Sequence, residues 1–335
     1  MAGSGRTTRT RLLTPPRQVY NEGVLEELRD LNDAERIEYF RGVQPIWGGG
    51  LPEDRFIAFQ RRLADSKEAG QRYRLFGLFD GPRLLSALKT YDLRGACAGA
   101  PLRVLGIGAV FTPPALRRHG HAHRMLELVL AAHAARGYDA ALLFSDIGAE
   151  YYERLGFRAL ASEECAAEAP DLPRGRAARA AAPGEETELS RVFARGRAAT
   201  GALCLERDGW VVRFQLRRLR ELARARGSGE PEWGITARDG EEEAAAMVRL
   251  TRDSVDVLDA AWTSEGARDH LLSGLRDLLL RSGRLRIRFW PSHQLRGLVP
   301  AQPRTNAVAM VAQLRSGAAV PQPGARPELA LIDHI

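Results

Sequence analysis

Residues 116–125, LRRHGHAHRM, set His119, His121 and His123 at alternate positions around Gly120, directly behind Arg117 and Arg118. Two chemistries would use such a stretch. Three imidazoles converging on one ion would make a metal site. A glycine opening a helix among cations would make an anion site instead. The first-turn N–H groups have no intrahelical partner, the helix dipole is positive there, and a residue without Cβ admits a pyrophosphate to the main chain. On a helix His119 and His123 share a face, but His121 lies about 200° round from His119. On a strand all three would align, yet Pro113-Pro114 before and a helical period after exclude a strand. No acidic or cysteine residue stands within the stretch. The spacing therefore favours the anion site, with small Ala122 leaving the next turn open and two arginines adding charge-assisted contacts.

Such a turn needs a strand before it and a helix after it. LRVLGIGAVFT (102–112) has the strand pattern, and the two prolines end it. Beyond Gly120, Ala122, Met125, Leu126, Val129 and Leu130 recur at steps of three and four, and Gly137 suits a helix C-terminus. AALLFS (140–145) reads as a short buried strand, and AEYYERLGF (149–157) as a short helix leading into another strand. Upstream, YRLFGLF (73–79) and LLSALKTYDL (84–93) flank a DGPR turn as an antiparallel hairpin. LEELRDLNDAERIEYF (25–40) and DRFIAFQRRLADSKEAG (54–70) read as helices.

Residues 161–187 shift to alanine, proline and charge, which marks a domain boundary. The order strand–strand–helix–strand then recurs downstream, with EGARDHLLSGLRDLLLRSG (265–283) as its amphipathic helix, which suggests a diverged duplication. At 335 residues, two domains are the natural expectation.

VFTPPALRRHGHA (110–122) resembles the acetyl-CoA motif of the GNAT acetyltransferase superfamily: Arg or Gln, two residues, Gly, any residue, then Gly or Ala. Arg117, Gly120 and Ala122 fit it without a gap. AEYYERLGF is similar to the family's second landmark in Tyr151, Tyr152, Gly156 and Phe157. VFTPP with FSDIGAEYYERLGF also resembles the fungal lysine N-acetyltransferase subgroup. A GNAT domain followed by a GNAT-like one is similar to the layout of enhanced-intracellular-survival acetyltransferases. The resemblance covers residues 73–160, extends to the N-terminal helices, and fades after residue 175.

The resemblance implies an α/β (α+β) GNAT fold: a mixed, mostly antiparallel central sheet flanked by helices, followed by a second, degenerate GNAT-like domain. The division expected is 1–165 for the catalytic domain, 166–187 for a linker and 188–335 for the second domain, which lacks an R-x-x-G-x-A turn. Acetyl-CoA would be the co-substrate, with no metal, held by Val110, Phe111 and Thr112 on the strand and by Arg117, Arg118, His119, Gly120, His121 and Ala122 in the turn. Backbone N–H near Val110 would polarise the thioester carbonyl, and Tyr152 would protonate the leaving thiolate, its ordinary pKa of about 10 suiting that task. The central strand carries no glutamate, so the base is unassigned. Asp146, Asp92 and Glu150 are candidates, and Asp146 could equally hold the substrate amine or cap a helix. Trp233, Trp262 and Trp290 would line the acceptor pocket or simply fill a core.

The activity implied is direct transfer of an acetyl group to a primary amine of a small molecule or a lysine side chain. The alternative is a non-catalytic acyl-CoA-binding module that keeps the turn and has lost the chemistry. Nucleic acid is not an expected partner despite the net charge of +7. Only two of 49 basic residues are lysines, and the arginines are scattered among acids without an aromatic groove pattern. Cys97, Cys165 and Cys204 have neither disulfide-framework nor zinc spacing. With no apolar run of about 18 residues and no secretion signal, the expectation is a cytoplasmic protein that does not engage a membrane.

Overall fold

A computed structural model describes residues 18–21, 24–70, 72–175, 178–181, 184–196, 203–227, 234–239, 242–292 and 295–334. The first half runs β1 (Gln18–Asn21), β2 (Val24–Asp30), α1 (Asp33–Trp47), α2 (Glu53–Ala64), β3 (Tyr73–Asp80), β4 (Arg83–Cys97), β5 (Ala100–Phe111), α3 (His121–Ala134), β6 (Ala140–Ser145), α4 (Glu150–Glu153) and β7 (Arg158–Ala159). The second continues with β8 (Glu163–Ala167), β9 (Arg179–Ala180), α5 (Glu186–Gly196), β10 (Cys204–Leu205), α6 (Gly209–Arg226), β11 (Gly234–Asp239), β12 (Glu242–Leu250), β13 (Ser254–Trp262), α7 (Glu265–Arg281), β14 (Arg286–Phe289), β15 (Gln302–Pro303) and β16 (Val308–Gln313). The result is an α/β fold of two mixed, mostly antiparallel sheets flanked by helices.

The helix expected over residues 25–40 is instead a strand followed by a helix. Glu26 to Asp30 pair antiparallel with Asp80 to Phe76, so alternation rather than a helical stripe sets this segment. The break falls at Asn32, whose side chain accepts from the Glu35 N–H at 3.0 Å while Glu35 accepts from the Asn32 N–H at 2.8 Å, a reciprocal cap that starts α1. Glu35 also receives two bonds from Arg29, which ties the strand to the helix it precedes.

The first sheet has the order β1-β2-β3-β4-β5-β6-β16-β7, with β10 against β4. One face packs on α1 and α2 through Tyr39, Phe40, Phe56 and Phe79; the other packs on α3 through Leu88, Ile107, Met125 and Val129. His133 closes the α3 side, buried, with its Nδ1 2.7 Å from the Val129 carbonyl. Burial pushes its pKa down to about 4. The unfolded chain therefore binds a proton below pH ~6.5 that the folded chain refuses until pH ~4. Its contribution to stability is complete above pH ~6.5 and falls by about 1.4 kcal/mol per pH unit across that window. Unfolding titrations between pH 7 and 4 should show this slope flattened in His133→Gln.

The second sheet, β15-β8-β14-β13-β12-β11-β9, repeats the first: β11, β12 and β13 are antiparallel, and β13 runs parallel to β14 with α7 between them, as β5 runs parallel to β6 around α3. The two sheets do not separate at a single point in the sequence. Residues 163–167, inside the composition break, form β8 against β14, with Cys165 and Ala167 buried. Strand β16 leaves the second half to lie between β6 and β7 of the first sheet. Among the described residues no helix is long and apolar enough to cross a membrane.

Candidate active site

The site begins as an irregularity in β5. The strand pairs with β4 as far as Lys89↔Gly108, then resumes at Ala87↔Phe111 with one residue too many. Ala109 absorbs the excess at φ 48°, a left-handed conformation that strains a residue bearing Cβ by roughly 1–2 kcal/mol. Tyr39 of α1 holds it by donating from its hydroxyl to the Ala109 carbonyl at 2.7 Å. Close seating of α1 makes this reach possible, since a Cβ on Gly42 would lie 2.4 Å from the Phe111 ring. The parallel pairing of β5 with β6 ends at Ile107↔Leu143, just before the bulge. Strand β6 stays paired with β16 on its other edge through Ser145, so β5 and β6 part beyond that point.

The turn after β5 is built as an anion cradle. The Arg117 Nε donates to the Thr112 carbonyl at 3.3 Å, Arg118 sits at φ 66°, and Gly120 forms the N-cap of α3 at φ 81° and ψ −2°. No side chain caps the first turn of α3, and a Cβ on Gly120 would meet nothing within 4 Å. The N–H groups of that turn are thus open to a ligand. The corresponding start of α7 is closed: Ser264 follows β13 almost directly and accepts from the Ala267 N–H at 3.2 Å. The three histidines do not converge. Against the helical count, which pairs His119 with His123, His119 stacks on His121 at 6.0 Å because it precedes the helix, whereas His123 lies 3.7 Å from Glu127 and meets the Tyr151 ring edge-on. Among the described residues no three His, Cys, Asp or Glu side chains converge as a metal site would require.

Bulge, turn and α4 enclose one cavity of about 550 Å³. It gathers Val110, Phe111, Thr112, Arg117, Arg118, Gly120, His121, Ala122, Asp146 and Tyr152. His119 is exposed and does not line it. Tyr152 is buried, packs edge-on against Tyr151 at 5.0 Å and Phe157 at 6.0 Å, and its phenol is pushed up to about 12 by burial and by the neighbouring Tyr151 and Asp146. Asp146 sits just past β6; its Oδ1 accepts from the Ala307 N–H at 3.0 Å. Asp92 is engaged by Arg103 through two bonds at 3.2 and 2.9 Å, and Glu150 is exposed; neither lines the cavity.

Sequence reasoning missed a second cavity of about 270 Å³, lined partly by α2, α6, β12 and His334. It shares Trp47, Ala109, Phe144 and Asp146 with the first, so the two meet at the bulge. Its cations Lys89, Arg218 and Arg249 belong to no motif, and their convergence depends on the second half of the chain packing against the first. Of the three tryptophans, Trp262 is buried in the core of the second sheet, and Trp290 stacks on Phe144 and His334 at 5.4 and 5.7 Å behind the wall of that cavity. Trp233 lies outside the described residues.

Residues 27–160 match the family model described as an acetyltransferase (GNAT) domain. Among solved structures, the chain is similar to a GCN5-related N-acetyltransferase from Anabaena variabilis, at 12% identity and TM-score 0.63 over 87% of this chain and 73% of that one. It is likewise similar to a GCN5-related N-acetyltransferase from Kribbella flavida, at 16% and 0.61 over 86% and 71%. Eis1 from Mycobacterium abscessus aligns at 18% and 0.54 over 87% and 74%. At these identities the likeness concerns the fold, and it extends through both sheets. No curated protein matches the chain.

Proposed function

We propose that the chain, whose residues 27–160 match the GNAT acetyltransferase model, moves an acetyl group from acetyl-CoA directly to the primary amine of a small acceptor or of a lysine side chain. The observation that carries this reading is the single cavity shared by the β5 bulge, the uncapped turn at Gly120 and the Tyr152 ring. The residues present fit the coenzyme: Gly120 leaves open space at bare N–H groups, with Arg117 and Arg118 beside it.

When bound, acetyl-CoA supplies an activated thioester. The turn holds the pyrophosphate, and the splayed strands receive the extended arm along Val110, Phe111 and Thr112. Main-chain N–H near Val110 stabilises negative charge on the carbonyl oxygen. Asp146, with one oxygen fixed on Ala307, orients the incoming amine and takes up the proton it loses. Tyr152 gives its proton to the departing sulfur as the C–S bond breaks, so the proton lost from nitrogen balances the one gained by the thiol.

The test is calorimetric titration of acetyl-CoA into wild type and Gly120→Glu. The glutamate has room in the free protein but sets a carboxylate where the phosphates bind, at a φ of 81°. Binding should weaken at least about 30-fold, equivalent to ~2 kcal/mol. Absence of binding to folded wild type would end the acetyltransferase reading.

A further inference from the structure

The second cavity carries its charge unevenly. Among the described residues Asp146 is its one acidic lining residue, on the side shared with the first cavity, whereas Lys89, Arg218, Arg226 and Arg249 also line it. Two of these cations are accounted for: Arg249 donates to Asp256 at 2.7 Å, and Arg226 is exposed at the rim. The inner two have no anion. The Lys89 Nζ donates to the neutral Gln60 Oε1 at 2.9 Å, and Arg218 forms no hydrogen bond or ion pair with any described residue.

Charges taken out of bulk water are ordinarily paired, and here the mutual strain registers. Burial and the nearby Arg218 push the Lys89 ammonium down to about 7, and burial lowers the Arg218 guanidinium as well. Two further titratable groups line the cavity, and burial holds both neutral: His334, pushed down to about 4, and Tyr91, pushed up to about 12. The rest of the lining includes the apolar Val43, Leu51, Phe56 and Phe59.

We infer that the acceptor is a small amine that also bears an anionic group, a carboxylate or phosphate, which seats on Arg218 and Lys89 while the amine meets Asp146 at the bulge. The inference rests on the acetyltransferase reading above. It matches both ends of the cavity: a guanidinium fork beside an ammonium receives a carboxylate or phosphate, and the carboxylate of Asp146 receives the amine. The same arrangement disfavours polycationic amines, whose second ammonium would face Arg218 in a confined space.

The experiment compares acetylation, by release of free coenzyme A thiol, of matched amines: phenylalanine against phenethylamine, phosphoethanolamine against ethanolamine, with spermidine as the polycation. Wild type should favour an anionic member at least about 30-fold in kcat/KM, as expected for pairing with half-buried cations, and the pair that responds identifies carboxylate or phosphate. Arg218→Gln and Lys89→Met should each remove most of that preference while acetyl-CoA binds with unchanged affinity. Preference for the counterparts that lack the anionic group or for spermidine, or a preference that survives both substitutions, would overturn the inference. If acetyl-CoA binds but no amine is turned over, the transferase reading fails instead. The anion site is then judged by calorimetry of phenylalanine and phosphoethanolamine: binding abolished by Arg218→Gln supports it, and no binding to wild type overturns it.

Discussion

Replacing Tyr152 by Phe should lower kcat by about 10²–10⁴-fold and leave the affinity for acetyl-CoA within about twofold. The ring contacts with Tyr151 and Phe157 survive this change, so the packing of α4 beside the cavity is kept. What disappears is one hydroxyl proton. A thiolate leaves poorly without one, and the loss corresponds to roughly 3–5 kcal/mol of transition-state stabilisation. Because the phenol is held near 12, it stays protonated through neutral and moderately alkaline solution, and no alkaline loss of rate from this group is expected below about pH 11. Thiol-release kinetics on wild type and variant, with coenzyme affinity measured separately, decide the matter. A kcat unchanged in Tyr152→Phe would remove Tyr152 from the chemistry. A wild type that binds acetyl-CoA without turning over would return the protein to the class of acyl-CoA-binding modules.

The largest effect on stability is expected far from that cavity. Arg207 is fully buried and directs its guanidinium at two carboxylates, Asp259 on β13 and Asp333, the latter at 2.7 Å, with a third bond to the Leu205 carbonyl at 3.1 Å. Leu205 belongs to β10, which pairs with β4 of the first sheet. A single side chain thus joins a strand of each sheet to the segment around Asp333. Arg207→Ala would leave two buried carboxylates without their cation, and removing one partner of a buried ionic group destabilises by about 3–5 kcal/mol. Urea unfolding should show the midpoint falling accordingly. A shift below about 1 kcal/mol would mean that water reaches the carboxylates and replaces the arginine.

The strand–turn–helix at Gly120 was legible in the sequence because its signal is local. Two prolines end a strand, a glycine opens a helix, and the apolar period changes from two to nearly four within a few residues. Tyr152 is singled out through the AEYYERLGF resemblance and Asp146 through its place at the end of a strand, and both line the cavity beside that turn. The misreading of residues 25–40 has the opposite cause: Leu28 and Leu31 satisfy a helical count, but pairing with β3 and the Asn32 cap decide the outcome, and pairing is not local. The second cavity was invisible for the same reason. Lys89 and Arg218 are unremarkable in sequence, one on a strand and one on a basic helix, and acquire meaning only when α6 packs across α2 and β4. The strain at Ala109 likewise left no mark, because an alanine occupies the position where a glycine would have signalled a bulge.

The route of β16 bears on how the protein is made. A chain emerging from the ribosome delivers β1 to β7 first, yet the slot between β6 and β7 stays empty until residues 308–313 have been synthesised. Until then β6 has an unpaired edge, carrying the apolar run AALLF, of the kind that invites pairing between nascent chains. The first sheet is therefore complete only once the second half of the chain has been made. Any shortened form ending before residue 308 would be a poor stand-in for the enzyme.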